Sequence, residues 1–477
     1  MELSAARWAE EDLFREREKL FATVPKRLEV DINEVVRYFR SLPRTRFWDS
    51  ALEEAERQGT SVVIPRLGYA DIDEMNLAFR RVREEGGALA ASIHIDSYTR
   101  WHRYDDAARL VEEGRKTKRN RLNGYPVVYH GVQVTREMLE AANMPVSSVT
   151  GSQDTRVLDE LMIAAGVTHS TASIVPPAFT FTNNKVSLEQ VLWDGLYTDR
   201  LIGWYQERGV PLVAGIRISN GGAAHPSSLG MAMMLVELLA AVKQGCRRFK
   251  ITYYMNGSLL QDLATLRAAI PIAERYLYKI KHEPCVFYLC GSHSQGVFPM
   301  DSSEAMAVLC YQALVSRLSG APLFHTKTAD QGAQLPSVDA HVQSCKAMRS
   351  IMDIVGDFRF PDGPLEEECE MINIEVDALM ENMLELGKGD ILVGFVNAIK
   401  AGTMEFPFSP SKYNKGEVMI ARDASGAGRF LSIGNLPLPD KSVRFHREKL
   451  RLSEQGRDEL RLTLTSICNI GALRVIK

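Results

Sequence analysis

Two arginines carry the clearest chemical signal in the chain. Arg66 stands in Pro65-Arg66-Leu67-Gly68, at the end of the apolar run 61–66. Arg100 closes Ile95-Asp96-Ser97-Tyr98-Thr99-Arg100, beyond the apolar run 89–95. A guanidinium is planar and permanently charged, and its fork of donors grips a carboxylate or phosphate in bidentate fashion. One such arginine is as well explained by a structural ion pair. Two at the ends of consecutive strands point toward one mouth and predict an anionic ligand held there. Gly68, two residues after Arg66, is expected to let a flat ligand approach the backbone.

Other chemistry-bearing residues are less pointed. His94, His169, His293 and His325 fall within or just after apolar runs, at spacings that fit no metal motif. "SNGGAAHPSSLG" (219–230) is a glycine-rich loop ahead of a helix and is a weak candidate for an anion site. It has neither G-x-x-x-x-G-K-[ST] nor G-x-G-x-x-G. Lys327 is either a contact to a phosphate or amide or a rim lysine. No Ser-His-Asp order and no G-x-S-x-G elbow is present, so no catalytic residue is assigned.

The elements that must position these groups alternate regularly. Strand candidates lie at 61–66, 89–95, 145–149, 167–174, 211–216, 248–253, 285–290 and 322–326. Helical stretches separate most of them: 72–85, 105–113, 155–165, 188–206, 228–243, 259–276 and 302–318. Strand–helix alternation implies parallel pairing, because parallel strands need a crossover. Eight such units predict an α/β fold of the (β/α)8 barrel type, whose sites lie at the C-terminal ends of the strands. The apolar run Val127-Val128-Tyr129 is short and is assigned to an inserted loop. Residues 1–57 read as a charged helical extension, 58–359 as the catalytic barrel, and 360–477 as an appended α+β region.

Composition narrows the function classes. The 477 residues are 45% hydrophobic and 25% charged, with a formal net charge of −3. Such a balance gives no electrostatic case for nucleic acid. The basic run 115–121 is short and reads as a solvated loop or a face for an acidic partner. Seven scattered cysteines without a C-x-x-C pair suggest reduced thiols and a cytoplasmic protein, and no metal site. The N-terminal stretch is not expected to be a signal peptide. No apolar segment is long enough to suggest a membrane span.

Several segments, in order and nearly end to end, resemble the large (epsilon) subunit family of glutamate mutase, also called methylaspartate mutase. They include "ELSAARWAEEDLFRERE" at the start, "PRLG" (65–68), "IDSYTR" (95–100), "LNGYP" (122–126) and "LYTDRLIGWYQERGV" (196–210). "LLQDLATLR" (259–267), "GVFPMD" (296–301), "LELGKGD" (384–390), "PFSPSKYN" (407–414) and "GNLPLP" (434–439) complete the likeness. The resemblance implies an isomerase in which adenosylcobalamin supplies a radical that rearranges L-glutamate to L-threo-3-methylaspartate. It also implies a separate small subunit that carries the cobalamin through a D-x-H-x-x-G motif, in an assembly of two large and two small chains. This chain has no such motif. Its nearest string, Asp339-Ala340-His341-Val342-Gln343-Ser344, lacks the glycine.

Carried over residue by residue, the family pattern is partly kept. Arg66 and Arg100 match two of three arginines that hold the substrate carboxylates. The third falls on Val149. The glutamate that receives the substrate amine falls on Thr171, and two substrate-facing tyrosines fall on Pro177 and Phe181. On the cofactor side, Gly68, Asn123, Phe298 and Lys327 match. There a proline becomes Thr180, a glutamate becomes Gln331, and an aliphatic position is Leu335. The nearest later arginine, Arg156, has its own family counterpart and is no obvious substitute. A lost charged hydrogen-bonding partner costs about 1.5–3 kcal/mol. Two explanations follow: other groups take over, or the substrate is a less polar related acid. Val149, Pro177 and Phe181 favour a drier, less charged pocket and so the second. The alternative functions are a non-catalytic scaffold or sensor that binds the cobalamin subunit, and a cobalamin-free barrel enzyme acting on a phosphorylated substrate.

Overall fold

In the computed structural model, eight parallel strands close into a barrel in the order of the sequence. They are β1 (Val62–Leu67), β2 (Ala91–His94), β3 (Val146–Val149) and β4 (His169–Ser170). Then follow β5 (Val213–Ile218), β6 (Arg248–Tyr254), β7 (Val286–Ser292) and β8 (Leu323–Thr326). The seam is β1 against β8, from Val62↔Leu323 to Pro65↔Thr326. The structure describes residues 3–152, 154–170, 186–218, 226–292, 298–407, 409 and 411–454.

Helices cover the outside of the barrel. Asp71 starts the helix Ile72–Glu84 by accepting hydrogen bonds from the Asp73 and Glu74 amides. Ser187 and Ser337 cap Leu188–Glu207 and Val338–Val355 in the same way. Ser227–Lys243 is buried almost all round. It lies against β5 on one side and against the helices Glu366–Leu386 and Ile391–Ala401 on the other. That double burial explains why its sequence is apolar on nearly every face.

Two expectations are corrected. Val127-Val128-Tyr129 is not loop but the start of the helix Val127–Ala142, which kinks at Gly131 (φ 77°). A three-residue apolar run cannot separate the possibilities, and Pro126 ahead of it suits a helix start. Arg100 does not end a strand: β2 stops at His94, and Arg100 closes a one-turn helix, Ser97–Arg100. Asp96 creates that turn by capping it, its side chain accepting from the Thr99 amide at 3.0 Å.

At the N-terminal ends of the strands, the helix Trp48–Arg57 packs Trp48, Ala51 and Ala55 into an apolar cluster. The strand residues there are Val62, Ile64, Val213, Tyr288, Cys290 and Leu323. Beyond the barrel, an antiparallel hairpin (Val418–Arg422 with Gly428–Ile433) and the helix Asp440–Glu454 pack together. Arg429 ties this region to Glu366–Leu386. Its Nε donates to Asp423 at 2.7 Å and its Nη1 to Glu368 at 2.9 Å, with all three side chains nearly sealed from water. Removing one member of such a group leaves buried charge uncompensated. Arg429→Met is therefore expected to lower the unfolding free energy by about 3–5 kcal/mol in urea denaturation.

Candidate active site

Arg66 projects from β1 into the upper barrel. There it lines a cavity with Val149 of β3, His169 of β4, Arg217 of β5, Thr252 and Tyr254 of β6, Ser292 of β7 and His325 of β8. No aspartate or glutamate is among the described residues of this lining. The Arg66 Nη2 donates to His94 Nδ1 at 2.7 Å, and its Nε has no partner among the described residues. Burial pushes the Arg66 guanidinium down to about 10; Tyr254 opposes the shift, and the neighbouring charges of Arg100 and Arg217 add to it.

His94 must be an acceptor in this pair, because a guanidinium has only donors to offer. Burial, then Arg66 and Arg100, hold the His94 imidazole neutral, well below its ordinary range. The proton of the neutral ring therefore resides on Nε2. The arginine is thus oriented without being neutralised: a carboxylate in place of His94 would have satisfied the charge that an anionic ligand is needed to meet.

Arg100 approaches from the loop after β2. Its Nη1 donates to the Gly151 carbonyl at 3.2 Å, and its own carbonyl accepts from Ser152 Oγ at 2.6 Å. Its guanidinium is also pushed down by burial, with Asp96 opposing. Asp96 itself is buried and its carboxyl is shifted upward by that burial, which weakens it as a counter-charge. The structure therefore brings Arg66 and Arg100 into one electrostatic neighbourhood, and Val149 faces the Arg66 cavity between them and β5.

The segment 122–126 folds back along the end of β2. The Tyr125 amide donates to the His94 carbonyl at 2.8 Å, and Asn123 Oδ1 accepts from the Ser97 amide at 2.9 Å. This contact needs Gly124, where a Cβ would sit 2.6 Å from the Asp96 nitrogen and 2.7 Å from the His94 oxygen. Gly68 belongs to the same corner. A Cβ there would stand 3.1 Å from both Gly124 Cα and the His94 oxygen. The close approach that the structure describes at Gly68 is to the chain's own backbone.

Lys327, just past β8, places its Nζ 4.7 Å from the centre of the Phe298 ring. Burial, with Arg66 adding to it, pushes its ammonium down to about 8. Gln331 and Leu335 follow on the same loop, half-buried and exposed respectively. Thr171, Pro177, Thr180, Phe181 and His293 lie outside the described residues, as do 219–225 of the glycine-rich loop.

Two inward cations were missed in the sequence. Arg217 lies past the predicted strand end at 216, and Lys250 lies inside an apolar run. The signal for both is a charge at inward parity in a strand otherwise fit for burial. Lys250 sits deeper than the cavity, its Nζ 2.8 Å from His325 Nε2 and 5.2 Å from the Trp48 ring centre. Burial pushes it down to about 8. Among the described residues, no group of three or more His, Cys, Asp or Glu side chains is placed to hold a metal ion, and no helix is long and apolar enough to cross a membrane.

Residues 42–476 match the sequence profile of a family described as Methylaspartate mutase E chain (MutE). The "Glutamate mutase epsilon subunit" of Desulfitobacterium hafniense (strain Y51) is 33% identical, over 96% of this chain and 94% of that protein. Proteins of the same description from Treponema denticola and Haloarcula marismortui are 32% and 31% identical, over 91% and 90% of this chain and 90% and 87% of theirs. Among solved structures, a spore coat polysaccharide biosynthesis protein from Bacillus subtilis is 12% identical, over 64% of this chain and 72% of that one, with a TM-score of 0.35.

The pairing of Arg66 with a neutral ring has a direct readout. In 15N-resolved spectra, His94 is expected to remain the Nε2–H tautomer, uncharged through the pH range in which an exposed imidazole titrates. His94→Phe identifies the resonance, and a protonated Nδ1 near neutral pH contradicts the arrangement.

Proposed function

The chain belongs to the Methylaspartate mutase E chain family, and from that membership we propose that it is the large subunit of a carbon-skeleton mutase that rearranges a small carboxylic acid. The substrate in this reading is L-glutamate or a related acid. The observation that carries it is the Arg66 guanidinium, set in a barrel cavity whose described lining offers no carboxylate. Burying a charge without a partner is costly, so such a position favours an incoming anion.

Each residue has a task in this scheme. Arg66, fixed by His94, grips a carboxylate. Arg100, fixed by Gly151 and Ser152, reaches the same region from β2. Val149 adds an apolar wall between them and β5. Low dielectric strengthens these contacts and keeps water from competing. The chain's part is then to bind, orient and desolvate the acid.

The cofactor in this reading is adenosylcobalamin, carried mainly by a separate small subunit with a D-x-H-x-x-G motif. The mouth of the barrel suits a broad group laid across it. Trp101, Met300 and Leu335, on the loops after β2, β7 and β8, expose 48%, 68% and 45% of their surfaces there. Lys327 over Phe298, the segment bearing Asn123 and the turn at Gly68 after β1 flank the same opening, with Gln331 on the Lys327 loop. When bound, the cofactor supplies a carbon-centred radical from its cobalt–carbon bond. The assembly is two large and two small chains, with the large chains paired, in the cytoplasm. A scaffold that only bound the small subunit would have no need to keep Arg66, Arg100, Asn123 and Lys327.

The test combines this chain with a D-x-H-x-x-G protein and adenosylcobalamin, then adds candidate acids singly. Paramagnetic cobalt by EPR and a branched isomer by NMR, both dependent on the acid, are expected. Arg100→Met should weaken the active acid about 10- to 100-fold. Paramagnetic cobalt that is indifferent to added acid favours the scaffold, and an unchanged affinity of Arg100→Met removes that residue from the clamp.

A further inference from the structure

Arg217 has no counterpart in the arginine pattern carried over from the family, yet it enters the cavity that Arg66 and Val149 line. Its strand explains why. In β5, Gly215 and Arg217 face the barrel axis, and Arg217 pairs in register with Thr252 of β6, another lining residue. The Arg217 amide donates at 2.9 Å to Oε2 of Glu237, a nearly sealed carboxylate on Ser227–Lys243. The backbone at this position is thus clamped from outside the barrel while the side chain points inward.

The barrel order makes the placement informative. In a closed ring of eight strands, β5 is four steps from β1 in either direction. Arg66 and Arg217 therefore face each other from opposite walls, with Val149 on the intervening β3. The field of Arg217 is felt across the interior: it lowers the proton affinity of Arg66, His169 and Lys250. A single phosphate calls for donors that converge on one point. Opposed guanidinium groups with an apolar residue between them suit two anionic ends joined by a hydrocarbon middle.

We propose that Arg217 anchors the second carboxylate of the substrate, taking over from the guanidinium that Val149 lacks, and that this chain binds a dicarboxylic acid spanning β1 to β5. The proposal rests on the reading of the cavity as a carboxylate site. It departs from the less polar acid that Val149, Pro177 and Phe181 suggest in the sequence. The third charge has moved from β3 to β5, and the apolar surface of Val149 then meets the carbon chain between the two ends.

The test compares glutarate with pentanoate, which replaces one carboxylate by a methyl group, by calorimetry on the full chain. Wild type should prefer glutarate by about 10- to 100-fold, the range of one charged hydrogen-bonding partner. Arg217→Met should erase that preference by weakening glutarate while leaving pentanoate within about twofold. Arg217→Lys, which keeps the charge, should retain part of it and serves as the deciding variant if circular dichroism shows Arg217→Met unfolded. An unchanged glutarate-to-pentanoate ratio in the folded variant overturns the role of Arg217 alone. Failure of wild type to bind either acid, or pentanoate binding that survives Arg66→Met, overturns the carboxylate site itself and this inference with it.

Discussion

Positive charge held inside a parallel barrel, at a cavity with no aspartate or glutamate among its described lining residues, is the constraint on which the site depends. Arg66 meets a neutral imidazole. Arg100 meets a carbonyl and a carboxyl shifted upward by burial. Each contact fixes a direction but leaves the charge largely unspent. The surrounding chain is organised to keep it so. The glycine corner at 68 and 124 presses 122–126 against β2, and the Asp96 cap turns the chain so that Arg100 returns toward Arg66. Such an arrangement lowers the stability of the empty protein in exchange for readiness to bind.

Much of this was legible in the sequence, because the decisive cues were local. Apolar runs of five to eight residues, most of them separated by helices, mark the strands, and arginines at or beyond the ends of two of them mark the mouth. Where the cues were short or non-local, reading failed. Val127-Val128-Tyr129 is too brief to reveal its period, and Asp96 looks like any polar residue until its bond to Thr99 shows it to be a cap. Arg217 fell one residue beyond the predicted strand. Its importance depends on which strand lies across the barrel, which no local pattern encodes. Along the chain, the nearest arginine after Val149 is Arg156, whereas the barrel brings Arg217 of β5 to the cavity that Val149 lines, from the other side.

The interior is also graded in depth. Near the opening, Lys327 lies over Phe298; lower down, Lys250 contacts His325 and Trp48. Burial shifts both ammonium groups downward, so each holds its proton less firmly than a surface lysine. Their shared sign reinforces the potential felt by an anion inside. Their partners are rings, which accept from a cation or lie under it without cancelling it.

The packing of Trp48, Ala51 and Ala55 against the strand starts has a further effect, on traffic. It stoppers the cylinder at its base, so among the described residues the doorway lies at the other end. Whatever enters must depart by the same route, against the pull of the cations that drew it in. Any protein seated over that doorway becomes its gatekeeper, and the pace of exchange is then governed by how often the two surfaces part.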